Sequence, residues 1–571
     1  MEQTDWLAAI VAAPDDDYVR LVYADWLEEN AQVDHAELIR VQIELAHTSP
    51  GSDRYGELQT RERQLLAHHS QSWCTDFDVA RRFRRGALES IRCDGPDHFL
   101  SVADRVFARH PIEEVWLSPF KGGWDPDTVA ALAACPHLTR VRRLHLPWMG
   151  ECHDRTRSQM TREALFALTA SPHLAGLRLL NLGESGEGEP APDDTWFAEL
   201  IGQARRPQPP WVRGLQTLAV GCTSLSDGTL ELLPRSPLAD SLTALDVAML
   251  NITAPAFETF VQSPLWRRLT DLEAIYLGAR IAERAPIHSA LVNALADSGL
   301  RRLSADLPGE ALAAVSSWGR LEALRIDTTD GTEGALALAT SKHLQQLRRL
   351  DYLPPTSVNV EVLQKLAANP CTSRVEHLEF DSLGGFDMVE EGLVALVESP
   401  HLTSLRVLSA TFSRISTAAL RRFLAAPLAH RLRALHLKHA RIDEEGVRLL
   451  AETASMPQLT TLEVGLVAKP SMDALQALLM SPHLPRLSHL TLVVHAEGGL
   501  TAAGERLLLT TRKIAWPGLS LSELEYRQRW QVPPPGVQEL SMLYRQRFGN
   551  FDGPKHLDSY ELFFPIFDEF P

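Results

Sequence analysis

The sequence predicts an α/β fold: a horseshoe-shaped solenoid with parallel strands on its concave face and helices on its convex face, preceded by an all-α segment. Three observations predict it. Apolar residues recur as L-x-x-L-x-L, the middle one falling at Ile91, Val115, Leu144, Leu180, Leu218, Leu245, Ile275, Leu303, Leu324, Leu350, Leu378, Leu408, Leu435, Leu462 and Leu490. Their spacing is mostly about 26 to 30 residues, enough for one strand and one helix. Each run leads into apolar residues at helical spacing, as Leu432-Arg433-Ala434-Leu435-His436-Leu437 and Ile442 lead into Val447, Leu449 and Leu450. Finally, 571 residues exceed one compact core, whereas a repeat need only bury itself against its neighbours.

Residues 1–80 read as four helices. Trp6, Leu7, Ile10 and Val11 share one face, and Pro14 ends that segment. Asp15, Asp16 and Asp17 then lead into Val19, Val22, Tyr23, Trp26 and Leu27, the spacing of an acid-capped amphipathic helix. Leu38, Ile39, Ile43 and Leu45 mark a third helix, and Leu58, Leu65, Leu66 and Trp73 a fourth.

The string Trp6-Leu7-Ala8-Ala9-Ile10, then Pro14-Asp15-Asp16-Asp17, then Arg20-Leu21-Val22-Tyr23-Ala24-Asp25-Trp26-Leu27-Glu28-Glu29 resembles the bacterial repeat-companion domain. That short module is found ahead of leucine-rich repeats in bacterial proteins. Glu37-Leu38-Ile39-Arg40-Val41-Gln42 and Arg84-Arg85-Gly86 fit the family's usual downstream segments. The match is strong over about the first fifty residues. It implies architecture, and it carries no catalytic residue over to this chain.

Residues 81–512 resemble the long, ribonuclease-inhibitor-like class of leucine-rich repeats. The resemblance extends to a recurring helix exit, Ser171-Pro172-His173-Leu174, Ser399-Pro400-His401-Leu402 and Ser481-Pro482-His483-Leu484, where proline stops the helix and leucine restarts the core. One departure is that Thr223, Ser413 and Ala440 stand where the family often places Asn or Cys, which predicts a weaker polar ladder behind the strands. Two repeats are stretched, by Pro147-Trp148-Met149-Gly150-Glu151-Cys152-His153 and by Gly183 to Pro192 with Pro207 to Pro210. Such insertions form loops on one face of a solenoid, as binding elements or as plain acidic loops.

Residues 513–571 break the beat. Tyr526-Arg527-Gln528-Arg529-Trp530, Tyr544-Arg545-Gln546-Arg547-Phe548 and the aromatic run Phe563, Phe564, Phe567 and Phe570 need to dock somewhere, because burying one such side chain is worth about 1.5 to 3 kcal/mol. A cap over the last repeat and a detachable binding segment are both open.

In L-x-x-L-x-L the leucines point inward, so the residues flanking the last two face the concave side. There the middle repeats read Arg302, Ser304, Asp306; Ala323, Arg325, Asp327; Arg349, Asp351; and His377, Glu379, Asp381. With strands about 4.8 Å apart, this predicts an acidic band of Asp306, Asp327, Asp351, Glu379 and Asp381 beside a line of Arg302, Arg325 and Arg349. Mutual neutralisation on a solvated sheet accounts for the same pattern, with each cross-strand pair worth about 0.2 to 1 kcal/mol. Trp116, His145, Trp148, Tyr276, His436 and Lys438 are secondary candidates on that face.

Composition bounds the function. A formal charge of −17 disfavours phosphate backbones and favours cationic protein surfaces. No run of about 18 apolar residues and no signal-peptide pattern is visible, and six scattered cysteines suit a reducing compartment, so a cytoplasmic protein without nucleic-acid or membrane partners is expected. Phosphate-loop, H-E-x-x-H and G-x-S-x-G motifs are lacking. Cys135 with His137, and Cys152 with His153, match no common zinc spacing, so no cofactor or metal is expected. The expectation is a non-enzymatic scaffold that recognises a protein or peptide. Regulation of a GTPase or another enzyme is the alternative, and an enzyme in its own right comes last.

Overall fold

The computed structural model describes residues 2–48, 53–74, 79–118, 123–146, 160–183, 193–202, 208–278, 281–327, 332–353, 359–380, 390–410, 415–487, 489–494 and 516–519. These residues are α/β, with short strands alternating with α- and 3-10 helices. The chain divides into two compact units. Met1–Arg40, Cys74–Asp306 and Val315–Leu321 form the first, and Val41–Trp73, Leu307–Ala314 and Glu322–Pro571 form the second. The N-terminal helices are divided between the two units.

In the first unit, α1 (Gln3–Ala12) starts on a capping box between Glu2 and Asp5. The next helix, α2 (Asp17–Glu29), starts on Asp16, whose side chain accepts the Tyr18 N–H at 2.9 Å. The apolar spacing read along α2 places Tyr23 and Leu27 in the core, and Tyr23 stacks on Trp26 at 6.0 Å. Strands β1 (Ala80–Arg84) and β2 (Ala87–Cys93) form an antiparallel hairpin turned by Arg85 and Gly86, both at positive φ. Gly86 is required there, since a Cβ would overlap the Ile39 side chain of α3 (Val33–His47). Arg20 is buried at 3 % exposure and donates to Pro14 O and Arg85 O, while His35 Nε2 lies 2.9 Å from Gly86 O. The conspicuous N-terminal signature thus clasps the first hairpin.

From β2 the strands run parallel: β3 (Glu114–Leu117), β4 (Arg143–His145), β5 (Leu179–Asn181), β6 (Thr217–Ala219), β7 (Ala244–Asp246), β8 (Asp271–Ala274) and β9 (Arg302–Ala305). The middle apolar residues stack in register as read from the sequence, with one correction. Leu272, and not Ile275, pairs with Leu245 and Leu303. Leu269 to Ala274 and Leu272 to Leu277 both satisfy the pattern, and the small Ala274 at the third apolar position favoured the wrong frame.

The second unit contains β10 (Ala323–Asp327), β11 (Arg349–Leu353), β12 (His377–Phe380), β13 (Val407–Ala410), β14 (Ala434–Ile442), β15 (Thr461–Leu466) and β16 (His489–Val494), all parallel. A further strand, β17 (Trp516–Leu519), pairs in parallel with β16, so the sheet continues into the region expected to break the repeat. The aromatic residues from 526 onward lie outside the described residues. Helix α4 (Asp53–Trp73) belongs to this unit, buries Leu58 and Leu65, and pairs Glu57 with Arg486 at 2.7 Å.

Hydrogen bonds between repeats cluster at the helix ends. The serine of each Ser-Pro-His-Leu exit caps its own turn and donates to a carbonyl in the last turn of the preceding repeat's helix: Ser171 to Ala133, Ser399 to Ala367 and Ser481 to Ala451, each at 2.5 Å. Asn369 does the same to Ala339 O at 2.9 Å. Asp194 accepts from Ser226 N and Thr229 N at 2.8 and 3.0 Å, capping the helix of the next repeat. At the family's ladder position, Thr223 bonds only locally to Val220 O, and Ala440 is buried without a polar side chain. Ser413 lies outside the described residues.

Candidate recognition face and its charged clusters

The residues that alternate with the leucines share one sheet face and form two parallel rows, polar at many strands and apolar at others such as Ala323 and Val407. In the second unit the first row runs Ala323, Arg349, His377, Val407, and the second runs Arg325, Asp351, Glu379, Ser409, His436, Glu463. Asp327 stands beside Leu353, two residues further along β10. The expected acidic band and separate arginine line are thereby corrected. Within the second unit Asp327 stands further along its strand than Asp351 and Glu379, and arginines fall in both rows.

Arg349, Asp351, His377 and Glu379 are brought together. Arg349 Nε donates to both oxygens of Asp351, at 2.7 and 3.0 Å, and Arg349 Nη2 lies 3.9 Å from Glu379 Oε2. His377 Nε2 lies 3.6 Å from Asp351 Oδ1 and 3.5 Å from Glu379 Oε2. Burial pushes the Asp351 carboxyl above its usual range, against the pull of Arg349 and His377. Burial also acts on Glu379, but the polar contact and charge of His377, with Arg349, outweigh it and bring its pKa to about 2. One carboxylate of this pair is thus held ionised more firmly than the other. Further along the row, His436 Nδ1 lies 2.8 Å from Glu463 Oε2.

A second cluster lies in the first unit. Glu114 accepts from Arg82 at 2.7 Å, Arg143 at 3.1 Å and the Trp116 indole N–H at 2.8 Å, and lies 3.4 Å from His145 Nε2. Burial alone would raise its pKa. The polar contact and charge of His145, with Arg82 and Arg143, hold it well below the ordinary value instead. Glu89 accepts from Arg84 at 2.9 Å and Arg143 at 3.0 Å. Trp116 and His145, side by side on β3 and β4, stack with ring centroids 3.8 Å apart and planes 3° from parallel.

The other expected residues separate. Arg302 pairs with Asp271 across β8 and β9. Asp306 is buried, accepts the Tyr276 backbone N–H at 2.7 Å, and lies 3.3 Å from His288. Tyr276 comes just after β8 in a left-handed conformation, beneath the guanidinium of Arg284 at 5.0 Å. It occupies this position and not the strand face because the frame is set by Leu272. Trp148 and Asp381 lie outside the described residues, as does the Lys438 side chain. Sequence reading missed Glu89, Glu114, Arg143, Asp271, Glu273 and Glu463. All but Glu89 stand beside the middle leucine-type residue, so the frame as read would have found Glu114, Arg143 and Glu463, whereas Asp271 and Glu273 needed the corrected frame set by Leu272.

Among the described residues no helix is long and apolar enough to cross a membrane, and Cys74, Cys93, Cys135, Cys222 and Cys371 are not joined in disulfides. The architecture is that of an α/β repeat array whose leucines stack in register and whose polar strand face bears charged clusters. No protein-family model matches the chain, and no curated protein matches it. Among solved structures, a Bacteroides fragilis protein is similar over 52 % of this chain and 77 % of its own, at 13 % identity and a TM-score of 0.29. A chain of the yeast Rad7 and Elc1 complex is similar over 66 % of this chain and 86 % of its own, at 16 % identity and a TM-score of 0.36. A chain of the TLR13–ssRNA13 complex is similar over 71 % of this chain and 65 % of its own, at 11 % identity and a TM-score of 0.25.

Proposed function

We propose that the chain is a non-enzymatic, cytoplasmic scaffold that recognises a cationic protein or peptide segment through the polar strand face, the concave side of a horseshoe. The N-terminal helices act as its companion module. The observation that carries this reading is the second polar row of the second unit, where Asp351, Glu379 and Glu463 share one line on strands and not on loops. Strand backbones hold such groups in place before binding, so little ordering entropy opposes association. Glu379 and Glu463 keep 20 % and 17 % of their side chains exposed, enough to meet an incoming guanidinium or ammonium group. Repeat arrays commonly use this surface for their ligands.

The test is fluorescence polarisation with a panel of labelled basic, neutral and acidic peptides of equal length. Basic peptides are expected to bind, and the Glu379→Gln, Glu463→Gln double variant to bind them about tenfold more weakly or worse, the effect of losing about 1.4 kcal/mol. Equal binding by wild type and variant, or no preference for basic peptides, overturns the reading.

A further inference from the structure

We propose that Asp351, His377 and Glu379 form a binding site for a divalent transition-metal ion, with zinc the best fit. Each residue offers one ligand atom, and the three atoms lie within 4.8 Å of one another on two adjacent strands. Their arrangement is poor as hydrogen bonding. Charge-assisted contacts of this kind close to about 2.7 to 2.9 Å, whereas His377 Nε2 stands 3.6 and 3.5 Å from its two carboxylates. That nitrogen is buried and makes no hydrogen bond.

The same spacing is close to that of a coordination edge. Donors bound at about 2.0 to 2.1 Å around a tetrahedral ion lie roughly 3.3 to 3.4 Å apart. One imidazole nitrogen with two carboxylate oxygens suits zinc among the borderline metals, and three protein ligands leave a fourth position for water or a partner's donor. Asp351 is 4 % exposed, so its carboxylate is already held on the protein side of the site.

Arg349 is the competing cation. It holds both oxygens of Asp351, and a metal has to displace or share that contact. Arg349, Asp351 and Glu379 alone sum to −1, and a bound divalent ion makes that sum +1. Metal would therefore invert the local charge that a peptide meets. The site itself does not depend on the recognition reading.

The experiment titrates metal-stripped full-length protein with zinc chloride against a chromogenic zinc indicator, with no peptide present. Magnesium chloride serves as the hard-cation control. One zinc equivalent is expected to be lost, or weakened by more than about tenfold, in both His377→Gln and Glu379→Gln. Arg349→Gln is expected to tighten zinc binding, because it removes the competing guanidinium and leaves the ligands in place. Magnesium does not displace the indicator-competing zinc. Circular dichroism confirms folding of each variant, and the near-isosteric Glu379→Gln serves if His377→Gln is unstable. Zinc binding that is unchanged in folded Glu379→Gln, or weaker in Arg349→Gln, overturns the site by assigning the metal to other histidines and cysteines. The recognition reading is left standing by that result, since zinc alone is the probe.

Discussion

Replacing Arg20 tests whether the N-terminal signature is a clasp. Its Nε and Nη2 donate to Pro14 O at 3.1 and 2.8 Å, and Nη1 donates to Arg85 O at 2.8 Å. Burial, then the neighbouring charge of Arg85, lower its pKa to about 10, so it stays protonated at neutral pH. Arg20→Met keeps the stem and removes every donor, leaving two carbonyls without their partner. Each orphaned acceptor costs about 1 to 3 kcal/mol, and both here are part-buried, which places the sum near 3 kcal/mol. Local opening of α2 and the β1–β2 turn then becomes more frequent on the order of a hundredfold. Hydrogen exchange with mass spectrometry reads this directly from peptides spanning residues 14–30 and 79–93. Arg20→Lys is the control, since one ammonium cannot serve both carbonyls as a planar fork does. Exchange in Arg20→Met as slow as in wild type, or full rescue by Arg20→Lys, would refute the clasp.

Gly86→Ala at φ +79, with its new methyl against Ile39, is expected to cost about 2 to 4 kcal/mol, measured as a lowered denaturation midpoint of the first unit. An unchanged midpoint would mean that the turn is not strained. Glu114 has a folded pKa below its ordinary 4.5, so its contribution to stability is complete above about pH 4.5 and is lost as pH falls through the folded value. Glu114→Gln should therefore be less stable than wild type at pH 7 and show a flatter decline in acid. Parallel pH–stability curves for the two proteins would contradict this.

The apolar frame of the fold was legible because leucine recurs at nearly every strand, and a buried position tolerates little else. It slipped only at Ile275, where two overlapping hexapeptides satisfy the pattern and Ala274 hides the true one. The charged face was legible in composition but not in arrangement. Arg143 meets Glu89 from 54 residues away, and only the stagger of adjacent strands decides which acid meets which base. Polar support between repeats was also concealed. Ser399 reads as a helix stop before Pro400, yet its hydroxyl bonds the helix before its own, a role that local sequence does not encode. His377 stood out as a histidine among acids, but its unbonded Nε2 emerges only with the side-chain geometry.

The pair between Glu57 and Arg486 spans 429 residues, whereas His436 and Glu463 on neighbouring strands are 27 apart. The ratio is about four doublings, so closing the longer loop costs only about 2.4 kcal/mol more. In time the difference is larger. A ribosome adding about 5 to 20 residues per second delivers Arg486 some 20 to 90 s after Glu57. Through that interval α4 has its contacts to the earlier α3, Gln42 with Glu62 and Arg54 with Glu44, while Glu57 still waits for the arginine that completes its pair.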